Sequence, residues 1–256
     1  MHEKIVSELS KIVQEEQVRI LYACESGSRA WGFPSKDSDY DVRFIYIHPV
    51  DWYLSIDDKR DVIERPINDK LDISGWEIRK ALRLLWKSNP PLLEWLQSPI
   101  VYWERYSVTT KIREASPLIF SPKSCMYHYL SMAKGNFREY LQGDSVRVKK
   151  YFYVLRPILA CKWIEERDSM PPMEFDQLVE ELIPKGKLFS EIHQLLQRKK
   201  SGDELDFEPK ITLINKFLDE QILHFSEVAG SLDVSRTVDD SRLNNIFRDA
   251  LKEVWD

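Results

Sequence analysis

The hydrophobic pattern of the chain changes its period once, near residue 115, and that change limits the folds open to it. Before it, short apolar runs rich in β-branched and aromatic residues alternate with helical stretches. After it, apolar residues recur at helical spacing almost without a break. Residues 3–15 place Ile5, Val6, Leu9, Ile12 and Val13 on one helical face. The segments 18–24 (VRILYAC), 41–47 (DVRFIYI), 61–67 (DVIERPI) and 70–76 (KLDISGW) read as strands, the last two as a hairpin pair. Residues 99–103 (PIVYW) read as an edge strand or a buried connector. A helix over 78–88 must stop near Asn89-Pro90-Pro91, and a short one follows at 92–96. Further helices are expected near 122–142, 146–167, 173–182, 188–199, 209–228 and 240–255, the last with Asp240 as N-cap. The stretch 201–208 reads as a polar loop. Eight glycines in 256 residues are too few for a turn-rich all-β barrel. The expected fold class is α+β: a small mixed-sheet domain over 1–115, then an all-helical domain over 116–256.

Charge and cysteine usage narrow the function classes. With 37 basic and 42 acidic residues the net charge is −5, which argues against nonspecific coating of nucleic acid and leaves room for a local basic patch. Cys24, Cys125 and Cys161 lie far apart in apolar surroundings, with no CxxC pair. They read as buried thiols in a reducing cytoplasm rather than as a disulfide framework or a zinc site. Glu3 and Lys4 interrupt the N-terminus, so no signal peptide is expected. No apolar run reaches the ~18 residues of a membrane helix, so no membrane partner is expected.

The segment Gly27-Ser28-Arg29-Ala30-Trp31-Gly32-Phe33-Pro34-Ser35-Lys36-Asp37-Ser38-Asp39-Tyr40-Asp41 lies between two expected strands. Gly27 and Ser28 would open a short helical turn whose N–H groups and hydroxyl suit a phosphate. Asp39 and Asp41 are two apart at the start of a strand, so both carboxylates point to one face. Two such carboxylates suit Mg²⁺, with Mn²⁺ as its substitute, in an in-line displacement on nucleotide phosphates. Asp72, between Leu71 and Ile73 on a later strand, is costly to bury unless paired or metal-bound. It is the natural third carboxylate and a base for an acceptor hydroxyl. Rival motifs fail. An EF-hand opening at Asp37 needs Gly and Glu where Val42 and His48 stand. A Walker A loop from Gly27 would need Lys-Ser/Thr where Phe33-Pro34 stand. Taken singly, each of these residues is explained by turn shaping.

With residues 29–38 between Ser28 and Asp39, this constellation resembles the nucleotidyltransferase superfamily of DNA polymerase β and kanamycin nucleotidyltransferase. The stretches GSRAWGFPSKDSDYDVR, LDISGWEIRKALRLLWKSNPPLLEWL and KKYFYVLRPILACKWI are similar to a family of bacterial and phage nucleotidyltransferases, some associated with RNA ligases. The resemblance implies Gly27 and Ser28 on the nucleotide and Asp39, Asp41 and Asp72 as metal-binding catalytic residues. It also implies a helical domain that closes over the nucleotide. Arg29, which flanks the turn, is a further candidate for the phosphates, with a solvated loop cation as the plain alternative.

Residues 146–163 carry Arg147, Lys149, Lys150, Arg156 and Lys162 and no acidic residue. On one continuous helix, Lys149, Tyr153 and Arg156 share a face at i, i+4 and i+7. Lys149, Lys150, Tyr153 and Arg156 are therefore expected to contact a triphosphate or an RNA backbone. A solvated basic face is the plain alternative. Trp31 is expected to pack under its loop, and Asn89 to act as a polar cap. The expected activity is transfer of a nucleoside monophosphate from an NTP, ATP first, to a hydroxyl or phosphate acceptor, RNA among the acceptors, with release of pyrophosphate. The alternatives are a nucleotide- or RNA-binding regulatory pseudo-enzyme and a toxin–antitoxin component.

Overall fold

The computed structural model describes residues 1–67, 70–202, 206–232 and 241–256. The chain forms two units. One contains Met1–Ala30, Ser38–Ile119 and the C-terminal helix, and the other contains Trp31–Asp37 and the chain from Phe120 onward to that helix.

The first unit runs α1 (His2–Glu15), β1 (Arg19–Glu25), α2 (Gly27–Ala30), β2 (Tyr40–Ile47), α3 (Val50–Tyr53), β3 (Val62–Glu64), β4 (Leu71–Glu77), α4 (Ile78–Trp86), α5 (Pro90–Leu96), β5 (Val101–Glu104) and α6 (Val108–Ile119). Its five strands lie in the order β3-β4-β2-β1-β5. Only β2 and β4 run parallel; the other neighbours are antiparallel. The 99–103 segment resolves as edge strand β5, and the expected hairpin as β3–β4. One sheet face packs Ala23, Val42, Phe44, Tyr46, Leu71 and Ile73 against Ile5, Leu9 and Ile12 of α1. The Phe44 ring lies across Gly75, where an added Cβ would come within 2.3 Å of it. On the other face Trp76 stacks on Trp95 of α5, with ring centroids 3.8 Å apart. Asn89 caps α5 by accepting from Leu92 N at 3.2 Å. The prolines fill the first helical turn, where no N–H is needed, so α5 starts two residues before the expected point.

The second unit contains α7 (Pro122–Tyr140), β6 (Ser145–Arg147), a 3₁₀ turn (Val148–Tyr151), α8 (Phe152–Arg167), α9 (Phe175–Leu182), α10 (Lys187–Ser201), β7 (Phe207–Pro209) and α11 (Thr212–Ser231). It is not wholly helical, because β6 and β7 pair antiparallel, with Val146 opposite Glu208. Phe33, from the segment between Ser28 and Asp39, is buried here. Its ring stacks on Phe152 at 4.8 Å and meets Phe175 edge-on at 5.6 Å. Phe175 N donates to Trp31 O at 2.9 Å.

The units differ from the expected 1–115 and 116–256 division in two places. Residues 31–37 join the second unit through Phe33. The last helix, α12 (Ser241–Trp255), joins the first. There Ser107 donates through both N and Oγ to Glu253, Lys111 pairs with Asp249 at 3.0 Å, and Phe247 meets Tyr53 edge-on at 5.0 Å. The expected N-cap Asp240 lies outside the described residues, as do residues 203–205 of the expected polar loop. Among the described residues no helix is long and apolar enough to cross a membrane. Cys24, Cys125 and Cys161 are all buried, and none is in a disulfide.

Candidate active site

The site is built where β1 and β2 exchange the chain. β1 ends at Glu25, which is fully buried. Its Oε1 accepts from Asp41 N at 2.8 Å, and its Oε2 accepts from the Tyr102 hydroxyl. Burial pushes the Glu25 carboxyl above its ordinary range, and the Tyr102 and Asp41 donors pull it back. Ser26 N donates to Asp41 O at 2.8 Å, so the turn is fastened to the first residues of β2.

Gly27 follows with a φ of +59°, a left-handed conformation that a side chain disfavours. The cradle is also filled from one side: a Cβ on Gly27 would stand 2.1 Å from Oδ2 of Asp41. Gly27 is therefore required both by its positive φ and by the neighbouring carboxylate. Gly27 and Ser28 open α2 as expected, and the Ser28 hydroxyl makes no hydrogen bond to a described residue.

Arg29, the next residue, is tied to its own loop. Its Nε donates to Asp39 O at 3.0 Å and its Nη2 to Ser38 O at 2.8 Å. Its guanidinium lies 3.6 Å from the centre of the Tyr40 ring. Through Nε and Nη2, Arg29 thus closes the loop that delivers Asp39 and Asp41 to β2.

Asp41 and Asp72 stand opposite one another in the parallel β2–β4 pair. Like charges so placed repel, and a third side chain resolves it. Arg43 Nη2 donates to Asp41 Oδ1 at 3.1 Å and to Asp72 Oδ2 at 2.7 Å, while Nη1 donates to Val42 O at 3.1 Å and Asp72 O at 3.2 Å. Burial raises the Asp41 carboxyl pKa. Arg43 opposes the rise, and the Asp72 and Asp39 charges add to it. The two aspartates fit a hard divalent cation, because they already share one positive group between carboxylate oxygens. Asp39 lies near enough to add its charge at Asp41, yet among the described residues no three His, Cys, Asp or Glu side chains form a metal-sized cluster. Asp39 precedes β2, so no ladder fixes it on the sheet face, and its carbonyl is drawn to Arg29.

The expected nucleotide contacts on the second unit separate into two kinds. The helix does not start at 146, because residues 145–147 pair with β7 and 148–151 wind as a 3₁₀ turn. The tighter turn breaks the expected i, i+4, i+7 face. Arg156 is buried, donates to Met173 O at 3.3 Å and lies 4.7 Å over the Trp31 ring, so it stitches the unit internally. Lys149 is exposed. Lys150 Nζ sits 4.1 Å from the Tyr140 ring and 5.0 Å from that of Tyr153, which is 39% exposed. Lys199, linked to Ser35 Oγ at 3.2 Å, has its pKa lowered by burial and then by the Lys149 charge, which marks a concentration of positive potential.

Sequence reasoning missed Glu25, Arg43 and Tyr102. Arg43 carried a signal: a cation inside the apolar run DVRFIYI, two residues from Asp41 and so on its face, needs a buried partner. Glu25 at the apolar end of β1 carried the same one.

A Gly-Ser turn closes β1 and opposed aspartates stand on β2 and β4, in a chain that is a polymerase β-like nucleotidyltransferase by family. The chain belongs to the RNA repair pathway DNA polymerase beta family (RlaP), whose sequence model matches residues 1–249. It is 51% identical over 255 residues to the uncharacterized protein YcgL of Bacillus subtilis (strain 168), covering 100% of this chain and 98% of that one. A nucleotidyltransferase-like protein from Exiguobacterium sibiricum 255-15 aligns over 98% of this chain and 89% of its own, at 14% identity and a TM-score of 0.32.

Proposed function

We propose that this protein transfers a nucleoside monophosphate from an NTP, ATP first, to a hydroxyl or phosphate acceptor and releases pyrophosphate. The observation that carries the reading is the Asp41–Asp72 pair, opposed across β2 and β4 and sharing one cationic group beside the Gly27 turn. Asp41 and Asp72 would hold Mg²⁺ or Mn²⁺, with Asp39 a further carboxylate beside them, and the ion would neutralise phosphate charge. The Ser28 hydroxyl and the N–H groups of its turn bind the β- and γ-phosphates. Asp72 accepts the proton of the acceptor hydroxyl. Glu25 and Arg29 position the strand that carries Asp41. Lys149, Lys150 and Tyr153 supply charge and an aromatic face to the nucleotide or to an RNA acceptor. The RNA repair description of the family supports an RNA end as the acceptor. Three buried cysteines outside any disulfide support residence in a reducing cytoplasm.

One observation favours a second reading, a nucleotide-binding protein without turnover: Arg43 already satisfies both aspartates. Incubation with each NTP, Mg²⁺ and RNA of defined ends separates the two. Pyrophosphate and an RNA heavier by one nucleotide are expected. NTP binding with no pyrophosphate under any condition would select the second reading.

A further inference from the structure

All four N–H bonds on the Arg43 Nη atoms are engaged: two by the carboxylates of Asp41 and Asp72 and two by the carbonyls of Val42 and Asp72. The side chain is 18% exposed, less than either aspartate at 29% and 32%. The guanidinium is therefore not a surface ion pair that forms and breaks freely. It is fixed along the strand pair, with one Nη aimed between two carboxylate oxygens that the β2–β4 register sets opposite each other. One positive charge against two negative ones leaves the cluster a net charge of −1, with Asp39 adding to the negative field at Asp41.

We propose that Arg43 is a resident counter-cation. It holds Asp41 and Asp72 as a preformed pair, and it must release at least one of them when a divalent cation enters. This inference rests on the reading of Asp41 and Asp72 as metal ligands. Two positive groups held by the same pair of carboxylates repel, so Arg43 and a divalent cation held by Asp41 and Asp72 would oppose each other. The intrinsic affinity of the aspartates is thereby reduced by competition from within the chain. A bound nucleotide brings its own negative charge and relieves the crowding of cations. Arg43 then makes metal loading depend on nucleotide, so that the free protein holds little metal. A guanidinium suits this role better than an ammonium, because its planar fork reaches both carboxylates and both carbonyls at once.

The test is Mn²⁺ binding to the full chain, followed by electron paramagnetic resonance without nucleotide. Arg43→Gln should bind Mn²⁺ at least tenfold more tightly than wild type, and Arg43→Lys should fall between them. Addition of an NTP should tighten wild type more than Arg43→Gln. In Arg43→Ala, methylguanidinium should compete with Mn²⁺, a competition absent from wild type. Thermal melting and circular dichroism establish that each variant is folded, and Arg43→Lys retains a charge where Arg43→Gln proves too unstable. Metal affinity unchanged or weakened in both Arg43→Gln and Arg43→Lys overturns the inference. Asp41→Asn and Asp72→Asn separate this from failure of the underlying reading. If they abolish Mn²⁺ binding while the Arg43 variants leave it unaltered, the aspartates are ligands and the counter-cation role is wrong. If they leave Mn²⁺ binding intact, or if no variant binds Mn²⁺ at millimolar concentration, the ligand reading and the inference fall together.

Discussion

Oδ2 of Asp41 lies 2.1 Å from the point where a side chain on Gly27 would begin. The turn and the carboxylate are thus shaped against each other, and a single methyl group tests both. Gly27→Ala has to adopt a positive φ and also displace Asp41. We expect a stability loss of about 1–2 kcal/mol from the backbone alone. Pyrophosphate release should fall by more than tenfold, because the displaced carboxylate is the one assigned to the reaction. Wild-type turnover in a folded Gly27→Ala protein would remove Asp41 from the catalytic set.

Asp41→Asn keeps the shape of the side chain and removes its charge. Turnover should drop by roughly a hundredfold or more, about 2.7 kcal/mol of barrier. Nucleotide binding measured without divalent ions should hardly change. Lys149→Ala should instead raise KM with little change in kcat, and the effect should shrink at high salt, since Lys149 is exposed. Matching profiles for the two variants would refute these assignments.

Glu25 makes a separate prediction, because it acts on Asp41 through the backbone. Glu25→Ala leaves Asp41 N and the Tyr102 hydroxyl without their acceptor in a buried place. We expect a loss of about 2–3 kcal/mol by chemical denaturation. Glu25→Gln keeps an acceptor oxygen and should lose less than half as much.

His48 stacks on Trp52, with ring centroids 4.1 Å apart and planes 6° from parallel. Burial, reinforced by the Lys59 and Arg79 charges, lowers its pKa from 6.5 to about 4. The folded state therefore prefers the neutral ring. Its contribution is present in full above pH 6.5 and is lost as pH falls through 6.5 toward 4. Allowing for partial solvent access, the loss between pH 7.5 and 5 should be about 1 kcal/mol. NMR titration of the ring protons should give a midpoint well below 6, and His48→Gln should flatten this part of the stability profile. An ordinary midpoint near 6.5 would contradict the half-buried, stacked environment.

Phe33→Ala removes a ring held by Phe152 and Phe175 in the second unit. A loss of about 3–4 kcal/mol is expected from the cavity and the lost burial. Phe33→Leu should recover about half of it. A near-neutral Phe33→Ala would show that the ring is not part of that core.

What the sequence could reveal depended on whether a pattern was local. The alternation in 41–47 and the amphipathic faces of 3–15 and 78–88 carry their own period, and all became the expected elements within a few residues. The pairing of Asp41 with Asp72 depends on a parallel register between residues 31 apart in the chain, yet the isolation of Asp72 among apolar neighbours marked it. The helical face assigned to Lys149, Tyr153 and Arg156 failed because it assumed one uninterrupted helix. The β6 pairing with β7 is a long-range event that no window of spacing reveals. Arg29 and Arg43 show the same limit: a cation near a motif does not disclose whether it serves a ligand or the loop that makes the site.

The burial of Phe33 bears on how such a gene can be divided. Five residues after Ser28 and six before Asp39, the chain leaves the sheet unit, seats one aromatic ring in the helical unit and returns. A protein ending at Ile119 would retain the aspartates and the turn, but it would expose that ring to water and lose α12 from the face of its own unit. Its mirror fragment would lack the ring at the centre of its core. The family match spans residues 1–249, across both units. Recombination or domain fusion would therefore have to move the whole length together, and fragments expressed to isolate the catalytic half should aggregate rather than fold.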